Sequence, residues 1–339
     1  MTVCAKIVQA VLFMQQKERK GITMKLKLDN NDFTTHVHTL EVTAGGVAYG
    51  NVTGIHSTMY EDKDTRSIKT VCKLNPSAYL GKTITNRYEL ITTVGEMLEA
   101  VGLDPDNYIV NRVDFSIDVV CSGGYEKYLK FFRAFIILVK YSKRCKNIMY
   151  SIDPTTFESL TIKTTCNRGT FEIEYYNKAR EAYNKNRHTD INGRLELRAK
   201  KLDIHCKDFK SLSGVFDNLL DTLNNAVASV DIMNDRLVES MCNLYAVKVK
   251  ENTCDNIGGF CRFMENFIYS RKMLQELYMF SREHSDCKLL TEKEMQKKAM
   301  KFSNNFCDRV EGFQTFSKRD FVGLVTMISD FIYAYDCPT

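Results

Sequence analysis

The stretch from residue 111 to residue 120 alternates strictly between polar and apolar side chains. Its sequence is Asn-Arg-Val-Asp-Phe-Ser-Ile-Asp-Val-Val. Because successive side chains of a β-strand point to opposite faces, Asp114 and Asp118 would share one face with Arg112. The apolar residues between them would share the other face. This pattern predicts a strand that buries one face and presents two carboxylates and an arginine on the other.

Two later stretches repeat the pattern. In residues 170–176, Glu172, Glu174 and Tyr176 alternate with Phe171, Ile173 and Tyr175. In residues 194–198, Arg194, Glu196 and Arg198 alternate with two leucines. Three strands of this kind predict an α+β fold, in which an antiparallel sheet packs on helices through its apolar face and carries a charged working face opposite.

Composition sets the broad class of the protein. A chain of 339 residues with 44% hydrophobic content can bury a large core. A net charge of +5 is only mildly basic and does not by itself indicate a nucleic-acid partner. The 12 cysteines are dispersed without a C-x-x-C pair. This spacing favours reduced thiols in the cytoplasm over disulfides or structural zinc.

The periodicity of apolar residues changes along the chain. We expect a leader or short helix at residues 1–24, a domain of alternating strands at 25–212, and an all-helical domain at 213–339. No apolar run reaches transmembrane length, so we expect no membrane partner.

A basic and aromatic helix is predicted after the first alternating strand. Residues 123–149 carry seven basic side chains against one acidic side chain, with aromatic residues interleaved. Lys127, Lys130 and Arg133 are its candidate contacts to DNA phosphates. A helix packed against the sheet, with its aromatic residues in the core and its lysines solvated, would give the same pattern, and both interpretations remain open.

The acidic residues of the three strands are candidates for a metal site. Asp114, Asp118 and Glu196 offer hard oxygen ligands, which favour Mg²⁺ or Mn²⁺ over zinc. A cation there would polarise a phosphodiester oxygen, and Lys178 or an arginine would neutralise the developing charge. Tyr176 would lie on the same face as a candidate nucleophile.

Each of these assignments has an alternative. The carboxylates could simply pair with Arg112, Arg194 and Arg198 across neighbouring strands. His36 and His38 flank an apolar residue and would project from one face of an earlier strand, either as metal ligands or as surface histidines. Whether Tyr175 or Tyr176 lies on the charged face depends on the strand register alone.

Four segments in the same order resemble the rolling-circle replication initiators of small plasmids and integrative elements. The segments, quoted in one-letter code, are LNPS at residues 74–77, NRVDFSID at 111–118, EYYNK at 174–178 and RLELR at 194–198. The first of them is also similar to a segment of filamentous-phage replication proteins. The resemblance covers residues 25–205, and the I-Y-x-G segment usual in that family is not recognisable in residues 159–169.

The resemblance implies a nicking domain of the relaxase-like fold class that starts rolling-circle replication. Tyr176 would form a 5′-phosphotyrosine intermediate, and Asp114 and Glu196 would hold the metal. Arg112, Arg194 and Arg198 would then contact the DNA. The implied partner is origin DNA, either single-stranded or as a supercoiled duplex, and a host helicase and a second copy of the chain are further candidates. A non-catalytic DNA-binding regulator, or a helical interaction protein that keeps the fold, is the alternative.

Overall fold

The computed structural model describes most of the chain. The described residues are 24–26, 28–84, 86–142, 149–152, 159–166, 170–254, 256–265, 267–283, 290–310 and 313–336. The leader or short helix predicted at residues 1–24 lies outside them, except for Met24.

The chain forms two compact units. The first consists of Leu28–Ser229 and Phe321–Thr339, and the second of Met1–Lys27 and Val230–Asp320. The predicted boundary near residue 212 remains a prediction about domains. The first unit extends one helix beyond that residue and also includes the C-terminal segment.

The secondary structure elements are as follows. The strands are β1 (Met24–Lys25), β2 (Phe33–Gly45), β3 (Ile55–Glu61), β4 (Ile68–Leu74), β5 (Tyr108–Val119), β6 (Met149–Ile152), β7 (Ser159–Cys166), β8 (Phe171–Asn177), β9 (Gly193–His205) and β10 (Gln314–Thr315). The helices are α1 (Pro76–Leu80), α2 (Arg87–Glu99), α3 (Glu126–Ser142), α4 (Lys178–Asn184), α5 (Leu212–Ala228), α6 (Val230–Lys250), α7 (Ile257–Phe263), α8 (Arg271–Glu283), α9 (Glu292–Arg309) and α10 (Lys318–Asp336).

The described strands of the first unit form one antiparallel sheet. Its order is β3-β4-β2-β5-β9-β8-β7-β6, and every neighbouring pair runs antiparallel. The strands with the alternating charged pattern, β5, β9 and β8, lie side by side. With this sheet, the helices on its apolar face and the helical second unit, the chain has the α+β fold class that the sequence predicts.

Aromatic side chains join the helices to the apolar face of the sheet. The ring of Tyr175 on β8 stacks on Tyr125 at 4.8 Å between centroids and lies 4.5 Å from Phe132 of α3. On β5, Phe115 lies 5.0 Å from Phe331 of α10. These rings are the alternate, apolar residues of the strands, so their burial fixes which face the charged residues take.

A β-bulge interrupts the pairing of β2 with β5. Val37 pairs with Phe115 and Thr39 with Asp114, which leaves His38 as the extra residue. A bulge shifts the phase of the alternation by one position. Val37 and Leu40 are therefore both fully buried, although they are three positions apart in the strand.

In its described residues, the second unit has helices and a short parallel pair of β1 with β10. Thr291 caps the N-terminus of α9 in a capping box. Its side chain accepts a hydrogen bond from the backbone N–H of Glu294, and the Glu294 side chain accepts a hydrogen bond from the backbone N–H of Thr291. In the described part of the chain, no helix combines the length and the apolar character that crossing a bilayer requires.

Candidate active site

The strand register assembles the charged face from residues far apart in sequence. Across β5 and β9, Asp114 pairs with Arg198, Ser116 with Glu196 and Asp118 with Arg194. Across β9 and β8, Glu196 pairs with Glu174 and Arg194 with Tyr176. Directly paired residues on one face have Cβ atoms about 5 Å apart. The charged residues of the three strands therefore form one continuous cluster.

The two neighbouring tyrosines of β8 lie on opposite faces. The ring of Tyr175 is fully buried on the helical face, where its hydroxyl donates to the backbone carbonyl of Tyr125 at 2.9 Å. Tyr176 is half-buried on the charged face, and its hydroxyl donates to Glu196 Oε1 at 2.7 Å. The structure thus places Tyr176, and not Tyr175, beside the acidic residues.

The arginines of the charged face are paired with its carboxylates. Arg112 donates two hydrogen bonds to Asp114, one of them from Nε at 2.6 Å. Arg194 forms a similar pair with Asp118, in which Nη2 lies 2.8 Å from Oδ2. The Arg194–Asp118 pair crosses from β9 to β5, as the alternative interpretation of the sequence predicts, whereas the Arg112–Asp114 pair lies within β5.

Arg198 has the largest number of acidic neighbours. Its guanidinium donates to Glu172, Glu174 and Glu196, and its Nε lies 3.8 Å from Asp114. Glu172 also accepts from the Lys200 ammonium at 2.7 Å. A single guanidinium thus links acidic residues from all three strands.

Burial and charge shift the pKa values in this cluster. Burial raises the pKa of Tyr176 far above its usual value of 10, and the negative charge of Glu196 raises it further. Burial alone would also raise the pKa of Glu196, but Arg198, the Tyr176 hydroxyl and Arg194 outweigh it, so this pKa lies below its ordinary value. The carboxylate of Glu196 is ionised at neutral pH and the Tyr176 hydroxyl is protonated.

An open cavity of about 310 Å³ gives access to these groups. Tyr176 and Glu196 line it together with Asp114, and the basic residues at its wall are Lys73, Arg112, Lys178 and Arg198. Lys178 also holds Glu181 at 2.6 Å, and its ammonium lies 5.7 Å from the centroid of the Tyr176 ring. A larger cavity of about 460 Å³, between β9 and α5, contains neither Tyr176 nor Glu196 in its lining.

Lys73 and His38 also line the cavity, although the sequence pattern does not predict them there. Lys73 pairs with Glu41, and Glu41 pairs with Arg112, so β4 continues the charged face. Lys73 lies between the apolar residues Cys72 and Leu74, and this alternation was the available signal. His38 lines the cavity, and its neighbour His36 is buried with Nδ1 3.8 Å from Asp118.

The remaining predicted site residues lie elsewhere. Asp118 and Arg194 are buried beside the cavity rather than in its lining. The residues predicted on the basic helix are carried by α3, which covers the apolar face of the sheet. Arg133 is only 5% exposed, and Lys127 pairs with Asp32. The structure therefore does not bring Lys127 and Arg133, or Lys130 of the same helix, to the cavity, and their contact with DNA stays a prediction.

The carboxylates do not form a metal centre in this arrangement. Among the residues that the structure describes, no three histidine, cysteine, aspartate or glutamate side chains are grouped so that they could hold an ion. The oxygen atoms of Asp114 and Glu196 bind Arg112 and Arg198 instead. The predicted site for Mg²⁺ or Mn²⁺ does not fit the residues as they lie here.

Comparisons with known proteins add little to this description. No family model and no curated protein matches the sequence. Among solved structures, the rolling circle replication initiator protein from Geobacillus stearothermophilus aligns with 50% of this chain and 74% of its own, at 14% sequence identity and a TM-score of 0.28. At so low a TM-score, the similarity carries no argument about fold or function.

Proposed function

We propose that this protein nicks and rejoins one strand of DNA at a replication origin, with Tyr176 as the nucleophile, and so starts rolling-circle replication. One observation carries the proposal. Tyr176 lines an open cavity together with basic side chains, and its hydroxyl lies 2.7 Å from the ionised carboxylate of Glu196. A hydroxyl beside a base and among positive charges is the arrangement that an attack on a phosphodiester requires.

Glu196 acts as the general base of the proposed reaction. It takes the proton of the Tyr176 hydroxyl while the phenolic oxygen bonds to phosphorus. The bond between phosphorus and the 3′ oxygen breaks, and that oxygen leaves with the electron pair and takes a proton from water in the open cavity. The products are a 5′-phosphotyrosine and a free 3′ hydroxyl, from which a polymerase can extend.

Rejoining is the same reaction in reverse. The phosphotyrosine keeps the energy of the cleaved phosphodiester, so the 3′ hydroxyl of a DNA strand can attack it without ATP. The 3′ hydroxyl gives its proton to water as its oxygen bonds to phosphorus, and the bond between phosphorus and the Tyr176 oxygen breaks. Protonated Glu196 then returns its proton to the departing Tyr176 oxygen. The substrate is origin DNA, single-stranded or locally opened in a supercoiled duplex. A host helicase and a second copy of this chain are further proposed partners in the cytoplasm.

The basic residues of the cavity bind the phosphate in this proposal. Arg112, Arg198 and Lys178 supply positive charge for its non-bridging oxygens, and Lys73 extends this charge along β4. Arg194 instead stays with Asp118 behind the cavity and holds β9 in register.

A divalent cation is a separate proposal. Asp114, Asp118 and Glu196 would hold Mg²⁺ or Mn²⁺ only after the arginines that bind them dissociate. None of the steps above depends on this cation. Cleavage measured in EDTA, and again after Mn²⁺ is restored, tests this requirement.

A non-catalytic DNA-binding protein is the second candidate. The mutual pairing of the charged side chains favours it, because Asp114, Asp118, Glu172 and Glu174 all have basic partners. In that case the cavity would bind phosphate, but no covalent product would form.

The covalent intermediate decides between the candidates. The protein is incubated with a supercoiled plasmid carrying the origin and with single-stranded oligonucleotides from it, and the digested protein is analysed by mass spectrometry. We expect nicked plasmid and a nucleotide adduct on the peptide that contains Tyr176. The adduct should persist in Tyr175→Phe and disappear in Tyr176→Phe. Binding without an adduct in the wild-type protein would support the regulator instead.

A further inference from the structure

Helix α4 is anchored directly behind the proposed nucleophile. Asn177 ends β8 and caps the helix, since its side chain accepts a hydrogen bond from the Arg180 backbone N–H at 2.8 Å. The backbone N–H of Lys178 donates to the Asn192 carbonyl at 3.0 Å, which ties the helix to the segment before β9. Ala182 is buried. The side chains of α4 therefore keep a fixed position relative to Tyr176.

The two sides of α4 carry different chemistry. Lys178 and Glu181 line the cavity, and Lys185 pairs with Glu181 on the same side. Arg180 and Tyr183 are three residues apart, which places them along another side of the helix. Arg187 follows in the segment after the helix ends at Asn184. All three are exposed. Tyr183 is 75% exposed, more than any other large hydrophobic side chain in the described part of the chain.

This second side combines positive charge with an open aromatic ring. Arg180 and Arg187 supply the positive charge, and Glu181, the one acidic residue among residues 178–188, already binds Lys178 and Lys185. Five residues of helix, about 7.5 Å of rise, separate Lys178 from Tyr183. A DNA strand with its phosphate beside Tyr176 would therefore reach Tyr183 within a few nucleotides.

We propose that Arg180, Tyr183 and Arg187 form a strip that binds single-stranded DNA next to the cleaved phosphate, with a base stacked on the Tyr183 ring. This inference rests on the proposed function. Single strands are held by basic side chains that follow the backbone and by aromatic rings that stack on bases. A duplex does not fit this strip, because its bases are stacked on each other and offer no free face to the ring.

The strip also gives Tyr183 a role other than nucleophile. Among the described residues, no hydrogen bond joins the Tyr183 hydroxyl to a carboxylate that could take its proton, in contrast to Tyr176 and Glu196. Stacking uses the ring and not the hydroxyl. Tyr183→Phe and Tyr183→Ala therefore separate the two roles.

Binding of a fluorescein-labelled single-stranded oligonucleotide to the full-length protein, measured by anisotropy, tests the strip. We expect Tyr183→Ala to weaken binding about tenfold, the effect of losing one stacked base, and Tyr183→Phe to bind like the wild type. Tyr88→Ala is the matched control, because Tyr88 is 56% exposed on α2, next to Arg87, and outside the cavity. It should leave binding unchanged, and a duplex oligonucleotide should not respond to Tyr183→Ala.

Two results would overturn the strip. Tyr183→Ala could bind the single strand as tightly as the wild type, or Tyr183→Phe could lose as much affinity as Tyr183→Ala. Covalent adduct formation at Tyr176 is scored separately in the wild-type protein. An adduct with no effect of Tyr183→Ala refutes the strip alone. A tenfold effect of Tyr183→Ala with no adduct refutes the proposed cleavage and leaves the strip as a binding surface.

Discussion

The buried histidine His36 should make the protein sensitive to mild acid. Burial lowers its pKa from 6.5 to about 4, the positive charge of Arg194 acts in the same direction, and Asp118 and Glu196 oppose them. Burial also lowers the pKa of its neighbour His38. Because the unfolded chain binds a proton at His36 more readily than the folded chain does, stability is complete above pH 6.5 and is lost as pH falls toward 4.

The size of the effect follows from the pKa of His36. One pKa unit is worth about 1.4 kcal/mol, so the shift from 6.5 to about 4 caps the contribution of His36 at about 3 kcal/mol. Roughly 2 kcal/mol of it disappears between pH 7 and pH 5. That is a large fraction of the free energy of unfolding of a typical domain, about 5–15 kcal/mol.

Urea unfolding at pH 7, 6 and 5, followed by circular dichroism with EDTA present, measures this loss. His36→Gln removes the titrating group while keeping a polar side chain of similar size. Its stability should fall less steeply with acid than that of the wild type, by about 2 kcal/mol over the range. His56→Gln is the control, because His56 is exposed on β3, and it should follow the wild-type slope. Parallel curves for His36→Gln and the wild type would refute the reasoning.

Three further predictions concern the charged face and the packing of Tyr175 on the opposite face of the sheet. Glu196→Ala removes the proposed general base, so it should abolish cleavage in a gel assay and leave duplex binding within a few-fold, and cleavage at the wild-type rate would refute that role. Asp114→Ala should also abolish cleavage if cleavage requires the cation, and should leave it intact if the wild-type protein cleaves in EDTA. Tyr175→Phe and Tyr176→Phe each lose one hydrogen bond, so urea unfolding should show that the free energy of unfolding falls by about 1 kcal/mol in both. A Tyr175→Phe protein as stable as the wild type would contradict the buried hydrogen bond to the Tyr125 carbonyl. Gly193→Ala would place a Cβ 2.6 Å from the Tyr175 hydroxyl oxygen and should lower the free energy of unfolding by about 1–3 kcal/mol. Adding Tyr175→Phe should restore part of this loss. A Gly193→Ala protein as stable as the wild type would refute the close approach.

The local features of the site follow from the sequence because a strand has a period of two. Alternation alone assigns Tyr176 to the charged face and Tyr175 to the apolar face, and the structure has both there. The same period identifies the charged residues of β5, β8 and β9. Alternation says nothing about which strands are neighbours. The pairing of Glu196 with Ser116 on one side and Glu174 on the other is set by sheet order, which depends on contacts distant in sequence.

The features that the sequence does not reveal depend on such distant contacts. The bulge at His38 shifts which residues of β2 face the core, and no residue type in that strand indicates the bulge. The charge and aromatic content of α3 fit both a DNA surface and a core helix, and packing of Phe132 against Tyr175 is what distinguishes them. Similarly, Phe321 lies 5.2 Å from Phe131, so the C-terminal segment of the first unit packs against α3.

The pairing of the charged face bears directly on how the proposed reaction would begin. Arg198 holds Glu196 ionised, which makes the carboxylate a weak base, while burial keeps the Tyr176 proton in place. A phosphate entering the cavity brings negative charge that competes with Glu196 for Arg198. A buried carboxylate that loses its cation is costly, and taking up a proton removes that cost. The nearest proton is that of the Tyr176 hydroxyl, 2.7 Å away. Binding of the phosphate and activation of the nucleophile would therefore be one coupled event, with Arg198 moving to the substrate as Glu196 takes the proton.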